Sequence, residues 1–261
     1  EDGKIYDGII KTIDGQKVGI FGLTTEETID ISSPGKVTFS NYVEEAKRMV
    51  SAFEAKGVNK IIALTHLGFD DSVKYDNDLE LAKQVDGIDV IVGGHTHTAL
   101  TEPNLVEKEE PTLIVQAGEY NKNLGVLDVE FDYWGTVVAY GGEIIPLKEK
   151  AEDAATADLI KPYKEKISTV QNQSIGVTAA VKLEGERAVV RTQESNLGNL
   201  ITDGMLATAK KINPETVIAL TNGGGIRASI DEGEITMGEV QTTMPFGNTL
   251  GIMNLKGSEI K

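Results

Sequence analysis

The strongest constraint on the fold is an alternation of apolar strands and amphipathic helices in the first part of the chain. Residues 17–23, 60–65 and 89–93 are short and apolar, which favours strands. Apolar residues recur at helical spacing after Ser40, and a second helix is predicted near 78–85. The apolar face of the first helix comprises Val43, Ala46, Met49, Val50 and Phe53. Strands that alternate with helices indicate an α/β domain built in layers.

Histidines follow two of these strands directly. His66 comes after residues 60–65, and His95 and His97 come after Gly93 and Gly94; the chain has 3 histidines in all. Because open α/β sheets carry their sites at the carboxyl ends of strands, we expect the three imidazoles to gather at one edge. Neutral imidazole is a common ligand of Zn, Mn, Fe and Co, and the two glycines allow the backbone to approach a ligand closely. The sequence therefore predicts a metal centre.

Acidic residues near the histidines do not complete such a centre. A hydrolytic site with two metal ions usually needs carboxylate ligands, because a shared anion offsets the repulsion between the cations. Asp70, Asp71, Asp86 and Asp89 lie close to the histidines along the chain, but their spacing matches no bridging motif. We interpret these four residues as solvated loop acids.

Further elements are predicted on both sides of a charged, alanine-rich stretch at 148–172, which we interpret as a helical linker between domains 1–147 and 173–261. The predicted elements before it are a hairpin through Asp14-Gly15 and strands at 113–117, 124–131 and 137–147. Those after it are a helix at 196–211 with Leu197, Leu200, Ile201 and Met205 facing inward, a strand at 216–220, and a short helix opened by the capping box Thr236-Met237-Gly238-Glu239.

The strand at 216–220 leads into a glycine-rich loop that ends at Arg227. Asn222 and Gly224 belong to this loop, which can expose backbone amides, and the Arg227 guanidinium can bind a carboxylate or a phosphate through two hydrogen bonds. A Walker loop is excluded, since Gly-Lys-Ser/Thr is absent. Phe246 can stack on a planar ring or fill a core position, and Arg191 is by default a surface cation.

Composition excludes several classes of function. The net charge of −16 argues against a binder of nucleic-acid polymers, which needs a basic face. The absence of cysteine excludes disulfides, zinc–thiolate sites and thiol catalysis. The apolar runs are too short to cross a bilayer, so no transmembrane segment is predicted.

Five motifs follow one another along the chain: Thr65-His66, Gly93-Gly94-His95-Thr96-His97, Asn196-Leu197-Gly198-Asn199-Leu200, Asn222-Gly223-Gly224-Gly225-Ile226-Arg227 and Pro245-Phe246-Gly247-Asn248. Together they resemble the 5′-nucleotidase family, which includes periplasmic UDP-sugar hydrolases, ecto-5′-nucleotidases and cyclic-nucleotide 2′-phosphodiesterases. The resemblance implies part of a metallophosphoesterase domain, a four-layer α/β/β/α sandwich. It also implies a linker helix and part of an α/β substrate-binding domain.

The resemblance also implies roles for individual residues. His66 and His95 would bind one of two divalent ions (Zn, Mn, Co or Mg), and His97 would bind the other. The residues expected to bind a nucleotide or nucleotide sugar are Arg191 and Arg227 at the phosphate, Asn222 and Gly224 in the loop, and Phe246 on one side of the base.

Other family motifs do not occur in residues 1–261. The Asp-x-His and Gly-Asn-His motifs, with the catalytic His-Asp dyad and a bridging Asp, are expected upstream of Glu1, and a second stacking aromatic beyond Lys261. The chain therefore resembles the middle of such an enzyme, and we expect little or no activity from it alone. By resemblance, the protein is expected in the periplasm, the cell wall or the extracellular space.

Three hypotheses about function remain open from the sequence. The first is metal-dependent hydrolysis of nucleoside 5′-monophosphates by the full-length parent. The second is a 2′,3′-cyclic-nucleotide 2′-phosphodiesterase with 3′-nucleotidase activity, which would share the metal motifs and differ in its base and ribose contacts. The third is a catalytically silent surface module that binds nucleotides through the second segment alone.

Overall fold

The computed structural model of the protein describes residues 5–70 and 77–260. The chain divides into two compact units, residues 1–151 and 152–261. Both units combine helices and strands, so the predicted α/β class is confirmed. The domain boundaries predicted at 147/148 and 172/173 stay predictions. In the described part of the chain, no helix combines the length and apolar character that crossing a membrane requires.

Strands dominate the first unit. They are β1 (Gly8–Ile13), β2 (Gln16–Thr24), β3 (Ile61–His66), β4 (Val90–Val92), β5 (Asn104–Val106), β6 (Thr112–Val115), β7 (Asn123–Phe131) and β8 (Val137–Pro146). The helices are α1 (Thr28–Ile31), α2 (Tyr42–Glu54) and α3 (Asp78–Gln84). The predicted strands and helices of this part are confirmed within a few residues, whereas α1 and β5 were not predicted.

Six of these strands form one sheet in the order β1-β2-β3-β4-β6-β5. Strands β2, β3, β4 and β6 are parallel neighbours, and the edge strands β1 and β5 pair antiparallel. The turn between β1 and β2 has positive φ at Asp14 and Gly15, as its Asp-Gly sequence predicts. The carboxyl ends of the central strands therefore lie side by side.

Helices α2 and α3 cover one face of this sheet. The predicted apolar face of α2 is buried in full, and it packs in one core with Phe21, Ala63 and Ile91 of the sheet. Asn41 begins α2 by accepting a hydrogen bond from the backbone N–H of Glu44. The hairpin β7–β8 lies near the other face, where Val92 and Val126 line one apolar cavity of about 220 Å³. A helical layer, a sheet and a second β layer are thus present, in agreement with the predicted sandwich.

The second unit is built mainly from helices. These are α4 (Ala154–Gln171), α5 (Arg187–Val190), α6 (Asn196–Ile212), α7 (Met237–Thr243) and α8 (Gly257–Ile260), with one 3₁₀ turn at Gly223–Gly225. The strands β9 (Ser174–Ala179) and β10 (Gly233–Thr236) pair antiparallel. The core consists of Ala179, Leu197, Ile226, Ile230 and Ile235.

Several predictions for this unit are confirmed and two are wrong. Helix α6 has the predicted bounds within one residue, and both hydrogen bonds of the capping box between Thr236 and Glu239 are present at α7. Leu200 was predicted to face inward but is 54% exposed, because the packing that buries Leu197 does not extend over it. The strand predicted at 216–220 is absent: the segment has strand-like composition, but no described strand pairs with it.

Candidate functional site

The ends of β3 and β4 bring two of the predicted site residues together. His66 is the last residue of β3, and His95 follows the end of β4 by three positions. The two strands are parallel with Leu64 opposite Val92, so their carboxyl ends share one edge of the sheet. The ring centroids of His66 and His95 lie 5.1 Å apart, with an interplanar angle of 69°. The imidazoles therefore meet edge to face, as the strand-end argument predicts.

The loop after β4 has an unusual backbone. His95 and His97 have φ angles of 72° and 59°, in the left-handed region that non-glycine residues rarely adopt. Such conformations cost roughly 1–2 kcal/mol per residue and are concentrated at functional sites. Gly94 leaves room for the imidazole, because a Cβ added there would lie 3.1 Å from Nδ1 of His66. Gly94 therefore gives space to the His66 ring, and the predicted close approach of the backbone to a bound ligand stays a prediction.

His97 is directed to a different pair of side chains. Its Nδ1 lies 2.5 Å from Oε2 of Glu119, and its ring centroid lies 5.4 Å from that of Tyr120. His95 also has a carboxylate neighbour, since its Nε2 lies 3.3 Å from Oε2 of Glu27. Each histidine of the loop is therefore accompanied by one acidic side chain.

The electrostatics of the site favour the neutral form of His66 and the ionised form of Glu119. Burial lowers the pKa of His66, and the proximity of His95 lowers it further. Burial alone would raise the pKa of Glu119, but Lys122 and then His97 outweigh it, and the pKa lies below its ordinary value. Neutral imidazole is the form that binds metal ions.

The described residues contain a partial ligand set for a metal ion. His66 and His95 present two imidazoles at one point, which fits the donor chemistry of Zn, Mn or Co. Within residues 5–70 and 77–260, no group of three or more His, Asp or Glu side chains has a geometry that could hold a metal ion. The convergence of all three histidines on metal ions therefore stays a prediction.

The four acids interpreted as solvated loop residues have different environments. Asp70 is exposed, and Asp86 is exposed and forms an ion pair with Lys108 at 3.0 Å; Asp71 lies outside the described residues. The interpretation is wrong for Asp89, which is half-buried and accepts a hydrogen bond from the backbone N–H of Ile61 at 2.7 Å. Its burial raises the pKa of its carboxyl to about 7.

Two buried polar side chains behind the histidines were missed by the sequence analysis. Asp78 accepts a hydrogen bond from the hydroxyl of Thr65 at 2.6 Å, next to His66. Gln116 follows β6 and binds the backbone of the His95 loop on both sides, with Nε2 donating to Gly94 O at 3.0 Å and Oε1 accepting from Thr98 N–H. The available signal for Gln116 was a polar residue near the carboxyl end of the apolar strand predicted at 113–117.

The predicted substrate residues of the second unit gather around the 3₁₀ turn. A Cβ added at Gly224 would lie 3.0 Å from Nη2 of Arg191 and 3.1 Å from Nδ2 of Asn222. Nη1 of Arg227 donates to the carbonyl oxygen of Gly224 at 3.3 Å. The guanidinium carbon of Arg227 lies 5.7 Å from the centre of the Phe246 ring, within cation–π distance. All five predicted residues thus belong to one cluster.

Two further features describe this cluster: one residue is fixed by close packing, and one aromatic ring is exposed. Gly223 packs against the end of α5, where an added Cβ would overlap the carbonyl oxygen of Val190, so this position excludes any side chain. Phe246 is 52% exposed, which rules out the core-filling role considered for it. The cluster has the groups needed to bind an anion that is attached to a planar ring. The two guanidinium groups and the amide can form hydrogen bonds with the anion, and the exposed aromatic ring can stack on the planar ring.

Two family models match the chain. The model described as "Calcineurin-like phosphoesterase" matches residues 4–99, which include all three histidines. The model described as "5'-nucleotidase, C-terminal domain" matches residues 174–261, which include the cluster around Gly224.

Individual proteins with related sequences carry similar names. The chain is 47% identical to the trifunctional nucleotide phosphoesterase protein YfkN of Bacillus subtilis, over 100% of this chain and 18% of that protein. It is 37% identical to the snake venom 5′-nucleotidase of Crotalus adamanteus, over 99% of this chain and 47% of that protein. The crystal structure of a 5′-nucleotidase precursor from Thermus thermophilus matches with a TM-score of 0.84 and 43% identity, over 95% of this chain and 50% of that one.

Proposed function

The chain belongs to the 5′-nucleotidase family, and on this basis we propose that the protein hydrolyses nucleoside 5′-monophosphates to nucleoside and phosphate. The observation that carries the proposal is the contact between His66 and His95 at the ends of two parallel strands, in the region that matches phosphoesterases. The chain spans about half the length of the Crotalus and Thermus relatives, so the activity is proposed for the whole protein.

We assign the metal-binding role to His66, His95 and His97. Two divalent ions would supply Lewis-acid stabilisation of the negative charge that develops at phosphorus. The chain's own residues orient the imidazoles: the contact of Glu119 with Nδ1 of His97 fixes the direction of that ring, and Nε2 would be its ligating atom. The identity of the metal ion, Zn, Mn, Co or Mg, remains part of the proposal.

We assign nucleotide binding to the cluster of the second unit. Arg191 and Arg227 would bind phosphate oxygens through planar, forked donors, and Asn222 would donate or accept one further hydrogen bond. Phe246 would stack on the base, because its ring is half exposed and Arg227 lies over one part of it. The absence of a side chain at Gly224 would leave space for the ligand between Arg191 and Asn222.

A second candidate substrate is a 2′,3′-cyclic nucleotide, opened by 2′-phosphodiesterase activity and then hydrolysed as a 3′-nucleotide. The observation that favours it is the name of the Bacillus relative, a trifunctional nucleotide phosphoesterase that shares 47% of its residues with this chain over the match. The same metal-binding residues would serve both reactions. The contacts to the base and the ribose would determine whether a 5′-monophosphate or a 2′,3′-cyclic nucleotide is the substrate.

Residues 1–261 alone are proposed to have little activity. This is supported by the lack, in the described parts of the chain, of any group of three acidic or histidine side chains able to enclose a metal ion. The full ligand set would then require residues beyond those described. A turnover by residues 1–261 within tenfold of the whole protein would contradict this proposal.

The test measures phosphate release from AMP, 3′-AMP, 2′,3′-cyclic AMP and UDP-glucose, together with the metal content of the purified whole protein. We expect His95→Ala to remove bound metal and activity together. Asp70→Asn is the matched control, because Asp70 is an exposed acid four residues after His66. If His95→Ala retains both metal and activity, the metal-binding role assigned to His95 fails. If the whole protein binds AMP without any metal-dependent turnover, the hydrolase proposal fails and the silent binding module remains.

We also propose that the protein acts outside the cytoplasm, in the periplasm, the cell wall or the extracellular space. The name of the Crotalus relative, a venom protein, supports this location. The absence of cysteine is compatible with it. Fractionation of cells that produce the whole protein tests it, and recovery in the cytoplasmic fraction alone would contradict it.

A further inference from the structure

Gln116 occupies a special position relative to the histidine loop. It is buried, with 3% of its surface exposed, and it follows the last residue of β6. Since Val92 of β4 pairs with Val115 of β6, Gln116 comes level with Gly93, where the loop begins. A Cβ added at Gly93 would overlap Oδ2 of Asp78 and would lie 3.0 Å from Nε2 of Gln116, so the glycine makes room for both side chains.

The amide of Gln116 binds the loop on both sides of its strained residues. Nε2 donates to the carbonyl oxygen of Gly94 at 3.0 Å, immediately before His95. Oε1 accepts from the backbone N–H of Thr98 at 2.5 Å, immediately after His97. The same oxygen accepts from the hydroxyl of Thr96, between the two histidines, at 3.3 Å. One side chain therefore connects the start, the middle and the end of the loop.

These contacts matter because the loop backbone is intrinsically unfavourable. Left-handed φ at both His95 and His97 is a strained backbone conformation, which persists only where the surrounding structure compensates for it. Within the loop itself, the backbone bond from Thr96 N–H to Gly94 O, at 2.9 Å, provides local support. Gln116 supplies three further hydrogen bonds from the position directly after β6, and hydrogen bonds made by a buried side chain are expensive to remove.

We propose that Gln116 is a positioning residue for the metal centre, which sets the backbone conformation that presents His95 and His97 to metal ions. The inference rests on the proposed function, since it takes both histidines as ligands. By this proposal, the neutral amide of Gln116 determines how precisely His95 and His97 are placed, and it does so through its hydrogen bonds to the loop. Loss of the amide would relax the loop and weaken metal binding while the sheet remains folded.

The test compares Gln116→Met with Thr112→Val in the whole protein. Methionine has nearly the length of glutamine but lacks the hydrogen bonds. Thr112 is the matched control, because it is fully buried on the same strand and its hydroxyl donates one hydrogen bond to Ile88 O, away from the loop. If Gln116→Met does not fold, Gln116→Glu replaces it, since Glu keeps an oxygen for Thr98 N–H and loses the donor to Gly94.

Two readouts distinguish positioning from general destabilisation. The first is the dissociation constant for Mn²⁺ measured by titration, and the second is the NOE between the ring protons of His66 and His95 in metal-free protein. We expect Gln116→Met to weaken Mn²⁺ binding about tenfold or more and to reduce the NOE. Thr112→Val should leave the Mn²⁺ affinity and the NOE unchanged, even if its melting temperature falls as far as that of Gln116→Met.

Wild-type affinity together with an intact NOE in Gln116→Met would overturn the inference, and so would an equal loss in Thr112→Val. If the wild-type protein binds no Mn²⁺ or other divalent ion, the proposed function fails. The NOE in metal-free Gln116→Met then decides by itself whether Gln116 positions the histidines.

Discussion

Oε2 of Glu119 lies 2.5 Å from Nδ1 of His97, and the same carboxylate forms an ion pair with Lys122 at 2.7 Å. Carboxylates in this relationship to a ligating histidine fix the orientation of the ring and increase its basicity. We therefore expect Glu119→Ala to weaken divalent metal binding by about tenfold to a hundredfold. Equilibrium dialysis with Mn²⁺ measures the effect. Lys122→Met is the control, because it removes the other partner of Glu119 and should change the affinity little; equal losses in both variants would contradict the prediction.

Gly94 is the position where added volume should disturb His66 most directly. An alanine Cβ there would lie 3.1 Å from Nδ1 of His66 and 3.3 Å from the carbonyl oxygen of Thr65, which is tighter than ordinary contact. Because the strand backbone cannot retreat, the imidazole must move, and we expect Gly94→Ala to weaken metal binding about tenfold. Isothermal titration with Mn²⁺ is the measurement.

Gly22→Ala serves as the control for Gly94→Ala. The added Cβ would lie 3.8 Å from the carbonyl oxygen of Leu64 on the neighbouring strand, an ordinary contact. Metal affinity should equal that of the wild type in this variant. An unaltered affinity in Gly94→Ala would show that His66 does not depend on the space beside it.

Phe246 should contribute to nucleotide affinity through its aromatic face. Stacking of a base on an aromatic side chain is worth roughly 1–3 kcal/mol, so we expect Phe246→Leu to weaken AMP binding about tenfold. Fluorescence or calorimetric titration with AMP measures this. Tyr163→Leu is the matched control, since Tyr163 is an exposed aromatic residue of α4 in the same unit. If the two variants bind AMP equally well, Phe246 does not stack on the base.

Asp89 should make the stability of the protein depend on pH. Its folded-state pKa is raised to about 7 from an ordinary 3.8, chiefly by burial. Between these values the folded protein retains a proton that the unfolded chain has released, so stability falls as the pH rises through this window and is lowest above pH 7. The shift corresponds at most to about 4 kcal/mol.

Asp89→Asn removes this titration while an amide oxygen remains for the N–H of Ile61. We expect the variant to gain stability relative to the wild type as the pH rises from 4 to 8. Urea unfolding at both pH values gives the comparison. A stability difference that is the same at pH 4 and pH 8 would contradict the assigned pKa.

The meeting of His66 and His95 could be predicted because it depends only on strand ends, which periodicity locates well. The contact of Gln116 with the loop depends on the register in which β4 and β6 pair, and no local pattern fixes that register. Burial of Asp89 was missed for the same reason, since Ile61 lies 28 residues away along the chain.

At 216–220 the sequence predicted an element that does not form. Its composition is that of a strand, but a strand exists only through hydrogen bonds to a neighbour, and the described residues offer it none. Leu200 follows the helical period of α6 yet is exposed, because burial requires an opposing surface as well as a suitable period. The five predicted substrate residues do lie together around the glycine turn at Gly223–Gly225, and their role in binding a nucleotide stays a prediction.

The positive φ angles at His95 and His97 restrict what protein engineering can do at these two positions. Asn and Asp tolerate this backbone best among residues with donor atoms, so they are the first choices for exchanging the metal preference. Threonine is a poor choice, because a branched Cβ would clash in the left-handed region. A saturation library at either position should therefore yield few well-folded variants.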